Sequence, residues 1–458
     1  MILGDFLEKY RIEVRVEDSI EYNQVTISQH KGVKFRGKKM GSKIGRKRQF
    51  LVDLNKYPNT VMFTRQGIIN GAIGIAPKDV HNSIVTENMP TLTVNTDIIN
   101  IDYLKRLLTS KYLQRKICKL STVGSAQKSI HERDLLKLEI NLPDLEVQKI
   151  IAQKFINQEK NYFGILKEIQ AQKSLITQLK QSILQEAIQG KLTSEWRAQN
   201  SELITGDNSA ASLLENIKAE KARLVKEKKI KKEKPLLSIE KDEIPFNLPE
   251  GWVWCRMQEI TTLITDGKHG NCVDEENSGY YFLSAKDIQN GKLLYKNSRQ
   301  INYKEFLEVH NRTNLEAGDL CIVNTGGTVG KTAIVKDNEF TQRTTFQKSV
   351  AVVKPLKGEV STEFLNIFIK VETPKLLKTS RGSAINNLLL GDMKKVVIPL
   401  PTLKEQKAIV AKVEALMKKC TTLEQEITQS EQHAQMLMQA VLKEAFEGEE
   451  KQVVQEIN

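Results

Sequence analysis

The sequence predicts an α+β protein: two mixed, mainly β domains, separated and followed by long α-helices that pair as an antiparallel, coiled-coil-like strut, with an internal pseudo-two-fold duplication. Three observations predict it. Residues 124–190 recur at 382–448 at a constant offset of 258, without insertion, and 13 of the first 32 aligned positions are identical, where average composition gives roughly two. Inside both copies the apolar period is seven. Ahead of each copy lie short β-rich runs set off by Gly, Asn and Asp.

The elements follow in order. Residues 1–142 form the first domain, with strand-like "VTIS", "TVMFT" and "TLTV". A helix over 143–190 begins after Leu142-Pro143 and closes at Gly190, suited to the left-handed position past a helix end. Residues 191–243 read as a linker carrying an amphipathic and then basic helical stretch. The second domain, 244–400, holds "WVWC", "YYFL", "LCIVNT", "TAIV" and "SVAVVKP". The two domains align at an offset of 259, matching Gly67 with Gly326, Gly71 with Gly330 and Thr86 with Thr345. A C-terminal helix over 401–448 opens on the capping box Thr402 to Glu405, is expected to end at Gly448, and leaves a tail, 449–458. Each helix spans about 47 residues, on the order of 70 Å if unbroken.

The helix seam is Phe155, Tyr162, Ile169, Ile176 and Ile183 in the first copy, and Val413, Cys420, Ile427, Ala434 and Val441 in the second. Three residues on, a partner series runs Gln158, Ile165, Gln172, Leu179 and then Leu416, Leu423, Ser430, Leu437. Both copies turn polar at the same step, Gln172 and Ser430. This is either a matched layer that fixes register or an exposed break in the seam.

Charge supplies the first functional hint, because a formal +13 attracts polyanions over long range. Residues 31–48 hold nine Lys or Arg, four glycines and no acid, which reads as a flexible cationic loop suited to phosphate. Residues 218–234 hold nine basic residues against three glutamates and read as a solvated helix and linker. No apolar run approaches the roughly 18 residues of a membrane span, and the N-terminus becomes charged too early for a secretory signal. A cytoplasmic protein is expected. Five scattered cysteines without a CxxC pair support neither a zinc site nor a disulfide framework.

Catalytic motifs are missing. "NTGGTVGKT" (324–332) follows a strand as a phosphate-binding loop does, yet it leaves three rather than four residues between Gly326 and Gly330, and a strand-like "AIVK" follows where a helix is needed. It reads as a hairpin presenting Lys331. His269 in "DGKHGN" is either an ordinary loop residue or a reader of a base edge. The alternative class, a DNA nuclease or a glycine-loop NTPase acting alone, stays open at this point; RNA binding is weaker for want of aromatic stacking platforms.

"LPDLEVQKIIAQK" with "LPTLKEQKAIVAK", "LKQSILQEAIQGKLT", "IPFNLPEGWVWCRMQEI", "DGKHG" and "GGTVGKTAIV" carry a resemblance. Across essentially its whole length the chain resembles the specificity (S) subunit of Type I restriction-modification systems. The first domain departs from the pattern: it has no LPEGW-like lead-in and no GKxAIV. The resemblance implies a non-catalytic subunit of a complex with adenine methyltransferase and ATP-dependent endonuclease activities. Each β domain would be a target recognition domain reading one half of a bipartite, asymmetric site in double-stranded DNA, and the helices would fix the spacer. Two modification and two restriction subunits would be its partners. S-adenosylmethionine, ATP and Mg would sit on those partners, with no cofactor or metal on this chain. Candidate DNA contacts are Lys38, Lys39, Lys43, Arg46, Lys47 and Arg48 in the first domain, and Lys268, His269, Lys286, Lys331 and Arg343 in the second. Ile151, Leu166, Leu175, Leu184 and Ile188, off the seam, are candidates for docking modification-subunit helices or for packing on their own domains.

Overall fold

The computed structural model describes residues 1–29, 32–45, 47–120, 129–379 and 387–455, with 378–379 and 441–455 described by backbone alone. The chain divides into two compact units, residues 1–171 with 427–458, and residues 172–426.

Among the described residues of the first unit nine strands form two sheets. They are β1 (Leu7–Tyr10), β2 (Glu13–Val14), β3 (Glu21–Ser28), β4 (Gly32–Met40), β5 (Gln49–Val52), β6 (Val61–Phe63), β7 (Ile73–Ile75), β8 (Ser83–Thr86) and β9 (Thr91–Val94). One sheet has the order β1-β9-β6-β7, the other β2-β5-β8-β3-β4. Helices α1 (Ile101–Thr109), α2 (Lys111–Leu120) and α3 (Glu132–Leu135) follow, then the long α4 (Leu145–Ile188). Leu7, Val61, Phe63, Leu92, Tyr103 and Phe155 share one core, so α4 begins as part of the domain's packing.

The second unit opens, after α4, with α5 (Ser194–Gln199) and α6 (Ala210–Lys226). Next come β10 (Val253–Arg256), α7 (Met257–Ile260), β11 (Thr261–Asp266), β12 (Tyr281–Leu283), β13 (Ile288–Gln289), β14 (Lys292–Leu293), α8 (Tyr303–Thr313), β15 (Leu320–Val323), β16 (Thr332–Ile334), β17 (Thr344–Phe346) and β18 (Val350–Pro355). Helices α9 (Thr362–Thr379) and α10 (Leu390–Lys395), strand β19 (Val397–Leu400) and the long α11 (Leu403–Gln455) complete the chain. Its main sheet runs β11-β18-β15-β16, which repeats β1-β9-β6-β7. Strand β16 starts 259 residues after β7, and Gly71 and Gly330 both have positive φ, 83° and 90°. The weak alignment of the two domains is therefore structural.

One device recurs in both copies. Gln148, buried in the first turn of α4, accepts from the backbone N–H of Asn100 at 2.8 Å and donates to the carbonyls of Ile98 and Pro143. Its counterpart 258 residues on, Gln406, accepts from the N–H of Ser361 at 2.8 Å and donates to Pro401 O. Asn100 and Ser361 immediately precede α1 and α9. Each glutamine thus ties a long helix to the start of a domain helix.

Four expectations change. The cationic run is no simple loop: half of it is β4, the edge of the five-stranded sheet, followed by a short 3-10 turn at Gly41–Lys43. Eight cross-strand partners on β3 hold it extended. The segment 191–243 is no free linker, since Ala210 and Ile217 of α6 are fully buried against the second domain and Arg256 takes the carbonyls of Leu237 and Ser238. Helix α11 continues through Gly448 to Gln455, because one glycine in a helix costs only about 1 kcal/mol. Gly190 does cap α4, at φ 71°, where any Cβ would stand 2.6 Å from Pro249.

The fourth change concerns the seam. Phe155, Ile169, Ile176, Ile183, Val413, Cys420, Ile427 and Ala434 are buried, Tyr162 is half-buried, and the Val441 side chain lies outside the described residues. The partner series stays largely open: Ile165, Leu179, Leu423 and Leu437 are 42–63% exposed, Gln172 is half-buried and Ser430 exposed. The covered flank of α4 lies four residues on instead, at Glu159, Leu166, Lys173 and Lys180. Lys180 reaches Glu424 on α11 at 2.7 Å. This pair lies on the covered flank, on the side away from the open i+3 row.

Candidate nucleic-acid interface

The site is built at one end of each main sheet. In the second domain β11 ends at Asp266-Gly267, and Gly267 runs so close to Phe346 O that an added Cβ would lie 1.9 Å from it. Asp266 is held by Arg312 and by His269 Nε2 at 2.9 Å. Lys268 donates to Glu305 and, at 3.0 Å, to Glu308. These hydrogen bonds hold its ammonium above the ordinary lysine value. Within "DGKHG", therefore, Asp266, Gly267 and Lys268 build the loop, and His269, 63% exposed, is its outward residue.

Around His269 stand the ends of neighbouring strands. Asn324, after β15, donates its N–H to Ser349 O, and the β15–β16 turn carries Lys331. Lys348 donates its N–H to Lys268 O, and Ala285, next to Lys286, donates to Ser349 Oγ. Lys286, Lys331 and Lys348 are exposed and pair with no carboxylate among the described residues. Arg343 is exposed at the other end of β17, beside Gly279. Lys348 was not anticipated; its one sequence signal is its place between β17 and β18. The glycine-rich segment forms a hairpin, with β16 following it as a strand.

In the first domain the equivalent end carries Arg65, which holds the position of Asn324: Ile130 donates to Arg65 O as Leu388 donates to Asn324 O. Arg65 reaches the buried carboxylate of Glu132 at 2.9 Å, and Lys9 and Arg11 reach the same group. Burial pushes Glu132 up, but hydrogen bonds from Lys9, the backbone and Arg65 hold it down at about 2. Glu87 lies 3.8 Å from Arg11 as well, so three cations meet two carboxylates and the corner stays positive. Sequence reasoning missed Lys9, Arg11 and Arg65, because they lie far apart in the chain and no run marks them.

The β3–β4 hairpin joins this corner, with Gln29 lying beside Gly71 and Val33 beside Gly74. Lys34, Arg36, Lys39, Lys43 and Lys47 are exposed and pair with no carboxylate among the described residues. Lys38 pairs with Glu21 at 3.5 Å and Arg48 with Glu13 at 3.9 Å. Arg46 lies outside the described residues. Among the described residues no group of three His, Cys, Asp or Glu side chains is placed to hold a metal, and no helix is long and apolar enough to cross a membrane.

The class these features define is a duplicated, cation-faced pair of β domains on long helices. Residues 17–173 and 249–430 match the model of the family described as the Type I restriction modification DNA specificity domain. The chain belongs to that family. It is 30% identical over 263 residues to the Type I restriction enzyme EcoAI specificity subunit of Escherichia coli, covering 54% of this chain and 40% of that protein. It is 40% identical over 93 residues to the Escherichia coli EcoDI specificity subunit, covering 20% of this chain and 21% of that protein. The matches thus span less than half the length of these relatives. Among solved structures, the HsdS subunit from Thermoanaerobacter tengcongensis has a TM-score of 0.53 at 18% identity, covering 98% of this chain and 96% of that one. A chain from a study of assembly and conformational transition in a type I R-M system has 0.55 at 18%, covering 98% and 97%. These two share the fold.

Proposed function

We propose that this chain is the non-catalytic DNA-specificity subunit of a Type I restriction-modification complex, acting on DNA in the cytoplasm. One observation carries the reading: two domains with the same main-sheet order each gather cations at the same sheet end, Lys9, Arg11 and Arg65 around Glu132 in the first and, unpaired among the described residues, Lys286, Lys331 and Lys348 in the second. Each domain binds one half of a bipartite site in the major groove, where every base pair shows a distinct pattern. Lys286, Lys331 and Lys348 make phosphate contacts, which position the domain, and His269 reaches a base edge. Two modification and two restriction subunits supply S-adenosylmethionine, ATP and Mg chemistry.

The docking stripe for modification-subunit helices is revised by burial. Ile188 is 1% exposed and Ile151 packs on the first domain's core, so both serve their own units, while Leu166 and Leu184 are half-buried. Leu175 and Leu179, one turn apart on α4, and Leu423 on α11 are open apolar side chains in the second unit; in the first unit Ile165 and Leu437 are open, and Phe163, two residues from Ile165, is exposed on another side of α4. Such patches mark interaction sites. The test of the function is to map methylated sites in cells carrying this chain with its modification subunit. A bipartite motif is expected; cleavage or ATP turnover by the chain alone would favour an enzyme instead.

A further inference from the structure

The cationic edge strand holds two exposed apolar residues that charge does not explain, Met40 at its end and Phe35 within it. Phe35 is 38% exposed on β4 between Lys34 and Arg36. Its cross-strand partner is Val25, which is buried, so Phe35 lies on the core-facing side of the hairpin at the point where the core has ended. The register of β3 with β4 shifts between Gln24 and Val25, and Gly37 takes φ 123°. A shift of this kind bends a strand and increases its twist, and it is often found where a side chain is re-aimed. On β4 only Val33 is buried; its other eight residues are open or half-open. Lysines alone would protect a sheet edge from pairing with other chains. An open phenylalanine beside them works against that protection, and it needs another reason.

A two-stranded antiparallel ribbon fits the major groove, and the apolar group exposed there is the C5 methyl of thymine. We propose that the β3–β4 hairpin enters the major groove of the half-site bound by the first domain, and that Phe35 is a specificity-determining residue that packs on one thymine methyl. Lys34, Arg36 and Lys39 hold the flanking phosphates. This rests on the DNA-specificity function proposed above.

The test uses the full chain in complex with its modification subunits, on DNA carrying the mapped site. Deoxyuridine replaces each thymine of both half-sites in turn, removing one methyl at a time. At one thymine of the first-domain half-site the wild-type complex loses about fivefold in affinity, the scale of one buried methyl group. Phe35→Ala loses as much on normal DNA and nothing further on the uracil DNA, and Phe35→Leu restores most of the difference. If no uracil weakens binding, or if Phe35→Ala and uracil lower affinity independently, the proposal is overturned. If the wild-type complex shows no bipartite preference at all, it is the function itself that fails. Thermal melting within a degree of wild type shows that Phe35→Ala folds.

Discussion

Trp252 donates its indole N–H to Glu405 at 2.8 Å, and neither side chain is more than 6% exposed. The same carboxylate accepts from Thr193 Oγ1 at 2.7 Å and from Arg197 Nη1 at 2.6 Å. The first turn of α11, the segment after α4 and the lead-in to β10 therefore meet on one group. In the first copy Val147, 258 residues earlier, holds the same position and is 42% exposed. Removing Glu405 strands a largely buried guanidinium, so Glu405→Ala is expected to lose about 3–5 kcal/mol. Val147→Ala is expected to change stability by less than about 1 kcal/mol. Denaturant unfolding of the two variants checks the contrast.

Glu132 predicts a pH dependence. Its folded pKa, about 2, lies below the ordinary 4.5. A depressed carboxylate contributes stability that is complete above the unfolded value and is lost as pH falls through the folded one. The first unit is therefore expected to lose on the order of 3 kcal/mol between about pH 5 and pH 2 through this group. In Glu132→Gln that part of the acid slope should be missing, and unfolding followed by fluorescence from pH 6 to 2 measures it.

Neighbouring lysines should behave differently. Lys348→Ala is expected to weaken binding to every sequence alike and to flatten the salt dependence by about one unit. Lys268→Ala should instead loosen the loop, because Lys268 is tied to Glu305 and Glu308. His269→Ala should alter preference at a single base pair and leave the salt slope unchanged. Binding titrations at several salt concentrations separate the three.

The helices should set spacing without reading bases. Seven residues inserted after Gln172 and seven after Ser430 keep the seven-residue seam in phase and add about 10 Å to each helix. The spacer is expected to lengthen by about three base pairs while both half-sites stay the same. Methylation mapping reads both together, and altered half-site bases would contradict the expectation.

Assembly should depend on the open apolar row. Leu179→Ser with Leu423→Ser is expected to reduce capture of modification subunits in co-purification by tenfold or more, leaving the melting of the free chain nearly unchanged. Both side chains are already more than 40% exposed, so little packing is lost.

Much of this was legible in the sequence, for identifiable reasons. Runs such as "LCIV" and "SVAVV" became β15 and β18 because strands covered on both faces read as continuous apolar stretches. The seven-residue period showed the buried stripe through Ile169, Ile176 and Ile183. It could not show which flank is covered, since that depends on pairs such as Lys180 with Glu424 that join distant parts of the chain. Within 191–243 the apolar residues of α6 read as an amphipathic stretch on a linker; only the surface they pack on shows that Ala210 and Ile217 are buried. Lys268 and His269 are adjacent in one motif, yet one is consumed by glutamates and the other faces outward. Composition does not separate them.

The glutamine clasps at Gln148 and Gln406 have an evolutionary corollary. On the domain side they touch only main-chain atoms, the N–H groups of Asn100 and Ser361 and the carbonyl of Ile98. A fastening that reads backbone is indifferent to side-chain identity. A recombining gene could exchange one domain, the residues up to Leu142 or those from 244 to Leu400, and these two fastenings would form again wherever a helix began at the right place, while the side-chain contacts of Phe155 and Glu405 would still have to be matched. A new domain would then arrive with part of its joint to the long helix already provided.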